Sequence, residues 1–343
     1  MKAVVDDKIP YINGMIEKLV DEVVYLPGAR ITHHDVIDAD ILVVRTRTLC
    51  NESLLDGSRV KLIVTATIGF DHLDTAYLDK AGIEWHNCPG CNATSVAQYV
   101  RNSLLLLEKE KGICLKKSKL GIVGVGHVGC AVEKECRSLM GEILLNDPPR
   151  QEKDGFPSVD LQTVAEECDI ITIHTPLITD GPHPTFHLFD SHLLGRLKKS
   201  AVLINCGRGE VVDNKALLDA LDKGNLAEAI IDTWENEPDI SRELLEKVYI
   251  GTPHIAGYSA DGKANGTRMS LQWIAQWLNR QDIFLSMTVK APSLPDSITP
   301  PDDPAERQLL LYNPKDDSKR LKDNPDGFEF QRGNYPLRRE SFD

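Results

Sequence analysis

The stretch Lys119-Leu120-Gly121-Ile122-Val123-Gly124-Val125-Gly126-His127-Val128-Gly129 constrains this chain more than any other. An apolar run that meets Gly-x-Gly-x-x-Gly reads as a buried parallel strand turning into a helix. The first N–H groups of such a helix have no partners and carry partial positive charge, so the turn suits a pyrophosphate. Gly124, Gly126, His127, Val128 and Gly129 are therefore candidate cofactor contacts. Further on, Glu142-Ile-Leu-Leu-Asn-Asp147 reads as a second strand closing on an acid. A carboxylate there accepts hydrogen bonds from an adenosine ribose and repels a 2′-phosphate, which points to NAD rather than NADP. The glycine pattern alone would also suit a flavin or methyl-donor site on a similar fold.

The rest of the chain repeats the strand-then-helix pattern. Lys2–Asp6, Val23–Leu26, Ile41–Val44, Leu62–Thr67 and Ile83–His86 read as strands, with helices over 11–21 and 74–82. They make a small α/β domain ahead of the dinucleotide motif. Asn92-Ala-Thr94 then caps a long apolar helix over 95–109, expected to be buried between domains. Strands at Cys168–His174, Ala201–Asn205, Ala227–Asp232 and Tyr249–His254 follow Asp147, each closing on polar or small residues. Ligands of open α/β sheets bind outside the carboxyl ends of strands, so this repetition outweighs the glycine motif. A periodic helix within 257–281 could return to the first domain. From Ala291 the composition shifts to Pro, Asp, Lys and Arg, which reads as a linker and a tail that packs on another surface or is disordered.

The fold class expected is α/β with two Rossmann-like domains. A flavodoxin-like substrate domain, 1–92 and 259–285, carries an inserted NAD-binding Rossmann domain, 93–258. A C-terminal segment covers 286–343. A net charge of −13 argues against nucleic acid and anionic membrane as partners. No apolar run approaches membrane-spanning length and the N-terminus lacks a signal-peptide core, so a cytoplasmic protein is expected. The eight cysteines are scattered; Cys88-Pro-Gly-Cys91 has no second pair at zinc spacing, and no metal is expected.

Two strand ends carry the chemistry. Arg208, in Asn205-Cys-Gly-Arg-Gly209, can bind a carboxylate bidentately and polarise a neighbouring carbonyl oxygen. His254, in Pro253-His-Ile-Ala-Gly-Tyr258, is the natural proton carrier near neutral pH. Glu237 and Glu235, in Trp234-Glu-Asn-Glu-Pro238, compete to orient it, and spacing does not choose between them.

Gly124-x-Gly126-x-x-Gly129, the Asn-Cys-Gly-Arg-Gly loop, Asp232-x-Trp-x-x-Glu-Pro and Pro-His-Ile-Ala-Gly together resemble the D-isomer-specific 2-hydroxyacid dehydrogenases. Val4-Val-Asp-Asp7, Thr65-Ala-Thr67, Cys88-Pro-Gly-Cys-Asn92 and Asn146-Asp-Pro-Pro149 narrow the likeness to the branch that serves vitamin B6 synthesis. It is strong over about 1–280; Leu311-Tyr-Asn-Pro314 and Asn334-Tyr-Pro-Leu-Arg-Arg339 extend it to a shortened dimerisation segment, which implies a homodimer. The resemblance implies Arg208, Glu237 and His254 as the catalytic set. It implies NAD contacts at Asp147, Thr175, Cys206, Gly207, Arg208, Asp232 and Gly257, and substrate contacts at Thr46, Thr67 and Tyr258. Arg45 and Arg47 are added as phosphate binders on charge and position. The implied substrate is a small phosphorylated hydroxy acid, 4-phosphoerythronate, leaving as 2-oxo-3-hydroxy-4-phosphobutanoate. The alternatives are another D-2-hydroxy acid, such as 3-phosphoglycerate or glycerate, and a non-catalytic NAD-sensing interaction protein on the same fold.

Overall fold

The computed structural model describes residues 1–295 and 298–342. Asp296, Ser297 and Asp343, part of the expected segment 286–343, lie outside the described residues. The chain divides into two compact units, Met1–Asn92 with Ser259–Ser293, and Ala93–Tyr258 with Leu294–Asp343.

The first unit is built on β1 (Lys2–Asp6), β2 (Glu22–Leu26), β3 (Ile41–Val44), β4 (Leu62–Thr65) and β5 (Glu84–His86). All pair in parallel, in the order β2-β1-β3-β4-β5, which is the flavodoxin-like winding. β3 and β4 are buried at every position, as strands covered on both faces must be. The expected helix over 11–21 is instead a loop with one 3₁₀ turn, Ile16–Lys18. Tyr11 (φ 63°) and Gly14 (φ 78°) are left-handed, which no right-handed helix accommodates. Helix Thr75–Ala81 forms where the capping residues predict it, with Asp74 accepting from the Tyr77 N–H and Gly82 closing it at φ 67°. Helix Ala260–Trp277 starts on the Ser259 hydroxyl and buries Leu271, Ile274 and Ala275 with β1, β3 and β4 residues.

The second unit holds β6 (Lys119–Val123), β7 (Glu142–Asn146), β8 (Ile170–Ile173), β9 (Val202–Asn205), β10 (Glu228–Ile231) and β11 (Ile250–Gly251), parallel in the order β11-β10-β9-β8-β6-β7. The winding reverses between β6 and β8, and the crevice at such a reversal is where ligands of doubly wound sheets bind. β11 is shorter than the expected 249–254 because Pro253 offers no N–H and His254 turns to φ 56°. The apolar helix runs over Ala93–Lys111 and buries Val96, Leu104 and Leu107 with Leu120, Ile122, Val202 and Ile230.

The tail is helical rather than disordered, over Pro304–Leu311, Pro314–Asp323 and Phe328–Gly333. Asp303 and Asn313 cap the first two, each with proline in the first turn, where its missing N–H is no loss. Leu321 and Phe328 join one core of the second unit and Tyr312 another, while Leu310 and Phe330 stay exposed. None of the eight cysteines is in a disulfide.

Candidate active site

The turn after β6 is shaped by three glycines for three different reasons. Gly124 stands at φ 85°, and a Cβ there would lie 2.8 Å from the backbone of His174 and Thr175. A Cβ on Gly129 would lie 2.2 Å from the Gly124 carbonyl oxygen, so only glycine lets the helix His127–Cys136 seat against its strand. Gly126, exposed at the N-cap of that helix, meets nothing: a Cβ there would enter open space. The first two glycines answer to the fold and the third to whatever fills the turn.

Polar atoms without partners face inward at the same strand ends. His174 Nδ1, Thr175 Oγ1 and Thr233 Oγ1 are buried and accept or donate no hydrogen bond. Such atoms are expensive to leave unpaired. Burial pulls the His174 imidazole down to about 3, so it stays neutral. The glycine cradle and these unpaired groups fit a dinucleotide.

Asp147, at the end of β7, accepts from the Val125 N–H (2.8 Å) and caps the next helix through the Arg150 N–H (3.0 Å). The acid thus ties the glycine turn to its own strand, and its further lone pairs suit ribose hydroxyls. Arg150 is drawn aside, with Nη1 donating to the Val125 carbonyl at 2.7 Å and its guanidinium 4.0 Å from the Phe156 ring centroid.

The reactive side chains stand on loops beyond β9, β10 and β11, adjacent parallel strands whose carboxyl ends lie side by side. Arg208 is half-buried. Asn205, at the end of β9, folds its loop by donating to the Arg208 carbonyl (3.0 Å) and accepting from the Gly207 N–H (3.1 Å). Gly209 is held so close to the next loop that a Cβ would lie 1.9 Å from the Trp234 carbonyl oxygen.

His254 Nδ1 lies 2.9 Å from Glu237 Oε2 and 3.1 Å from Oε1. A carboxylate on Nδ1 fixes the N–H there, which leaves Nε2 with a lone pair on a neutral ring. Of the two acids left open by the sequence, Glu237 therefore carries the contact. Glu235 faces the other way, accepting from His187 Nε2 (2.6 Å) and the Asn214 N–H (2.9 Å). Burial alone would raise the Glu237 carboxyl. Hydrogen bonding and charge from His254, the Trp234 N–H and the charge of Arg332 outweigh it and hold the group below the usual glutamate range.

Asp232, assigned to the cofactor by resemblance, is 1% exposed and bonds to the His254 loop. Its Oδ1 accepts from Thr252 Oγ1 (2.7 Å) and the Ile255 N–H (2.8 Å), and its Oδ2 from the Ala256 N–H (3.0 Å). Those bonds hold the backbone in which His254 takes its left-handed turn. Cys206 is a half-buried thiol that burial pushes well up, so it stays protonated. Gly257 and Tyr258 follow in the same loop, the Tyr258 N–H donating to the Ile255 carbonyl at 2.8 Å.

The remaining predicted residues belong to the first unit. Arg45 Nε lies 3.2 Å from Oδ2 of the wholly buried Asp6, which anchors it; Thr46 and Arg47 are exposed on the turn after β3. Thr67 is half-buried at the end of a hydroxyl chain. Its Oγ1 donates to the Gly69 carbonyl (2.9 Å), so it accepts from Thr65 Oγ1 (2.7 Å), which in turn accepts from His72 Nε2 (3.0 Å). Sequence reasoning passed over His72, Asn205, Trp234 and two tail arginines, Arg332 and Arg338. Asn205, Trp234 and Arg338 stood in quoted motifs without a role, while His72 and Arg332 had no visible signal. Among the described residues no group of three or more His, Cys, Asp or Glu is placed to hold a metal.

A dinucleotide turn at the reversal of a doubly wound sheet, beside an arginine and a carboxylate-oriented histidine, defines an NAD-dependent 2-hydroxyacid dehydrogenase. Residues 92–256 match the family model for the NAD binding domain of the D-isomer specific 2-hydroxyacid dehydrogenases. The chain is 52% identical over 341 residues to the erythronate-4-phosphate dehydrogenase of Bacteroides thetaiotaomicron, covering 99% of this chain and 97% of that protein. It is 42% identical over 350 residues to the enzyme of that name from Escherichia coli, covering 99% and 92%. In fold it is similar to a D-lactate dehydrogenase of Aquifex aeolicus complexed with NAD and lactic acid. There the TM-score is 0.67 at 23% identity, over 85% of this chain and 100% of that one. The chain belongs to the erythronate-4-phosphate dehydrogenase family, within the D-isomer specific 2-hydroxyacid dehydrogenases.

Proposed function

We propose that the chain oxidises 4-phospho-D-erythronate at C2 to 2-oxo-3-hydroxy-4-phosphobutanoate in vitamin B6 synthesis, a reading supported by the substrate and reaction class in its relatives' name. NAD, when bound, supplies the hydride acceptor. Arg208 pairs with the substrate carboxylate and the C2 oxygen, because a guanidinium fork matches two oxygens at once. His254 Nε2 takes the C2 hydroxyl proton as the C2–H bond yields its electron pair, and the C2–O bond becomes a carbonyl. Glu237 holds the imidazole in the tautomer that exposes Nε2 and stabilises the imidazolium that forms. The observation that carries this reading is the two-oxygen contact between Glu237 and His254 Nδ1.

Arg45 is the candidate for the substrate phosphate, with Thr46, Thr67 and Tyr258 as further contacts. Thr67 presents a lone pair, since its own proton is on Gly69, so it suits a substrate hydroxyl. The exposed Leu310 and Phe330 support a homodimer formed through the tail, which light scattering in solution checks. The test of the chemistry is His254→Ala. Turnover falls by about 10²–10⁴-fold, the usual contribution of a positioned proton acceptor, while NADH binding stays near that of the parent. Parent-like turnover would refute the assignment.

A further inference from the structure

We infer that Arg332 is a positioning residue of the active site, brought by the C-terminal segment to set the Glu237 carboxylate and the Tyr258 hydroxyl around His254. The inference rests on the reading of His254 and Glu237 given above.

The tail meets the catalytic loops at two places within the second unit. Arg338 is 7% exposed and its guanidinium is an anchor. Its Nη1 donates to the carbonyls of Ile255 (3.0 Å) and Tyr258 (2.9 Å), and its Nη2 to that of Ala256 (2.5 Å). Its Nε donates to Gln98 Oε1 (2.9 Å), and its Cζ lies 3.9 Å from the Tyr312 ring centroid. Three carbonyls of the His254 loop thus close on one side chain from the tail. A buried guanidinium is costly unless its donors are matched, and here they are matched by the loop that carries the chemistry.

Arg332 lies on the helix Phe328–Gly333. Its Nη1 is 3.6 Å from Glu237 Oε2, its side chain is 21% exposed, and it hydrogen-bonds the Tyr258 side chain. Glu237 consequently has an imidazole on one side and a guanidinium on the other. The charged groups that face this pair are Asp232 from the end of β10, Arg332, and Glu329, which is 3.6 Å from Arg332 on the same helix. A carboxylate held between an imidazole and a guanidinium stays ionised and fixed, the charge of Arg332 adding to the bonds that keep Glu237 low. The matched NAD-binding domain ends at residue 256, so this cation belongs to a part of the chain outside the shared cofactor fold.

The experiment compares Arg332→Gln and Arg332→Lys with the parent and with His254→Ala. For each it measures kcat, KM, the pH profile of kcat/KM, NADH binding and the thermal midpoint. In Arg332→Gln, kcat falls roughly tenfold, a fraction of the whole proton-transfer contribution. The acidic limb of the profile moves to higher pH, because loss of the guanidinium makes the Glu237 carboxylate easier to protonate. KM rises as Tyr258 loses its partner, while NADH binding and the midpoint hold. Arg332→Lys keeps the charge without the fork and restores the limb more than kcat. Parent-like kcat and limb in Arg332→Gln, with His254→Ala inactive, overturn this inference and leave the assignment of His254 intact. A loss of rate that tracks a lowered midpoint, with the limb unmoved, reduces Arg332 to packing and also overturns it. An active His254→Ala fails the underlying reading instead.

Discussion

Gly126 and Gly129 differ in what they face, and alanine at each separates cofactor binding from folding. At Gly129 a new methyl group would meet the Gly124 carbonyl oxygen at 2.2 Å and its carbon at 3.1 Å. Both are backbone atoms of the tight turn and cannot rotate away. Overpacking of this kind costs about 3 kcal/mol. Position 129 lies inside the helix His127–Cys136, where alanine in place of glycine returns about 1 kcal/mol. The steric term wins, leaving a net loss of about 2 kcal/mol. For a domain of this size that lowers the thermal midpoint by about 4–8 °C. Gly126 is the N-cap, at φ −76°, which alanine adopts without strain, and no atom stands within 4 Å of its Cβ. Gly126→Ala should lower its midpoint by only about 1–3 °C, since alanine is less than about 1 kcal/mol worse than glycine at a cap. Its methyl occupies the space where a pyrophosphate approaches the amides, so NADH affinity should fall at least about tenfold. Thermal unfolding without cofactor and NADH fluorescence titration measure the two effects. Parent-like NADH affinity in Gly126→Ala, or a parent-like midpoint in Gly129→Ala, refutes the reasoning.

Asp147→Ser keeps a hydroxyl to cap the Arg150 N–H but removes the charge that repels a 2′-phosphate. The ratio of kcat/KM for NAD over NADP should drop by about tenfold or more, and an unchanged ratio counts against Asp147 as the selecting residue. His72→Phe removes the donor that fixes the hydroxyls of Thr65 and Thr67. KM for the hydroxy acid should rise about three- to tenfold, the worth of one hydrogen bond, with NADH affinity unchanged. Equal KM values would show that the chain of hydroxyls does not reach the substrate.

Much of the architecture was readable because its causes are local. Runs such as Ile41–Val44 and Leu62–Thr65 are apolar at every position, the mark of strands covered on both faces. Asp74 and Gly82 bracket a helix by capping alone. The segment 11–21 failed for an equally local reason, the left-handed turns at Tyr11 and Gly14 overriding its apolar spacing. The choice between Glu235 and Glu237 was not readable from spacing and came only from the resemblance. It depends on His187, distant in sequence, drawing Glu235 away from His254. The resemblance names Asp232 a cofactor contact but gives no sign that both its oxygens also hold the backbone of the His254 loop. Arg332 and Arg338 sit in a polar tail where only Leu309–Tyr312 and Phe328-Glu-Phe330 read as able to make a core. They gain meaning only once Leu321 and Phe328 anchor that tail to the second unit.

The central claim is the reaction on a phosphorylated four-carbon acid. Initial NADH formation from 4-phospho-D-erythronate, with the product carbonyl trapped by a hydrazine, measures it directly beside 3-phosphoglycerate under the same conditions. The account predicts kcat/KM at least about 100-fold higher for the four-carbon acid, the discrimination expected of a site built to hydrogen-bond its extra hydroxyl. Equal values, or a preference for 3-phosphoglycerate, would contradict it.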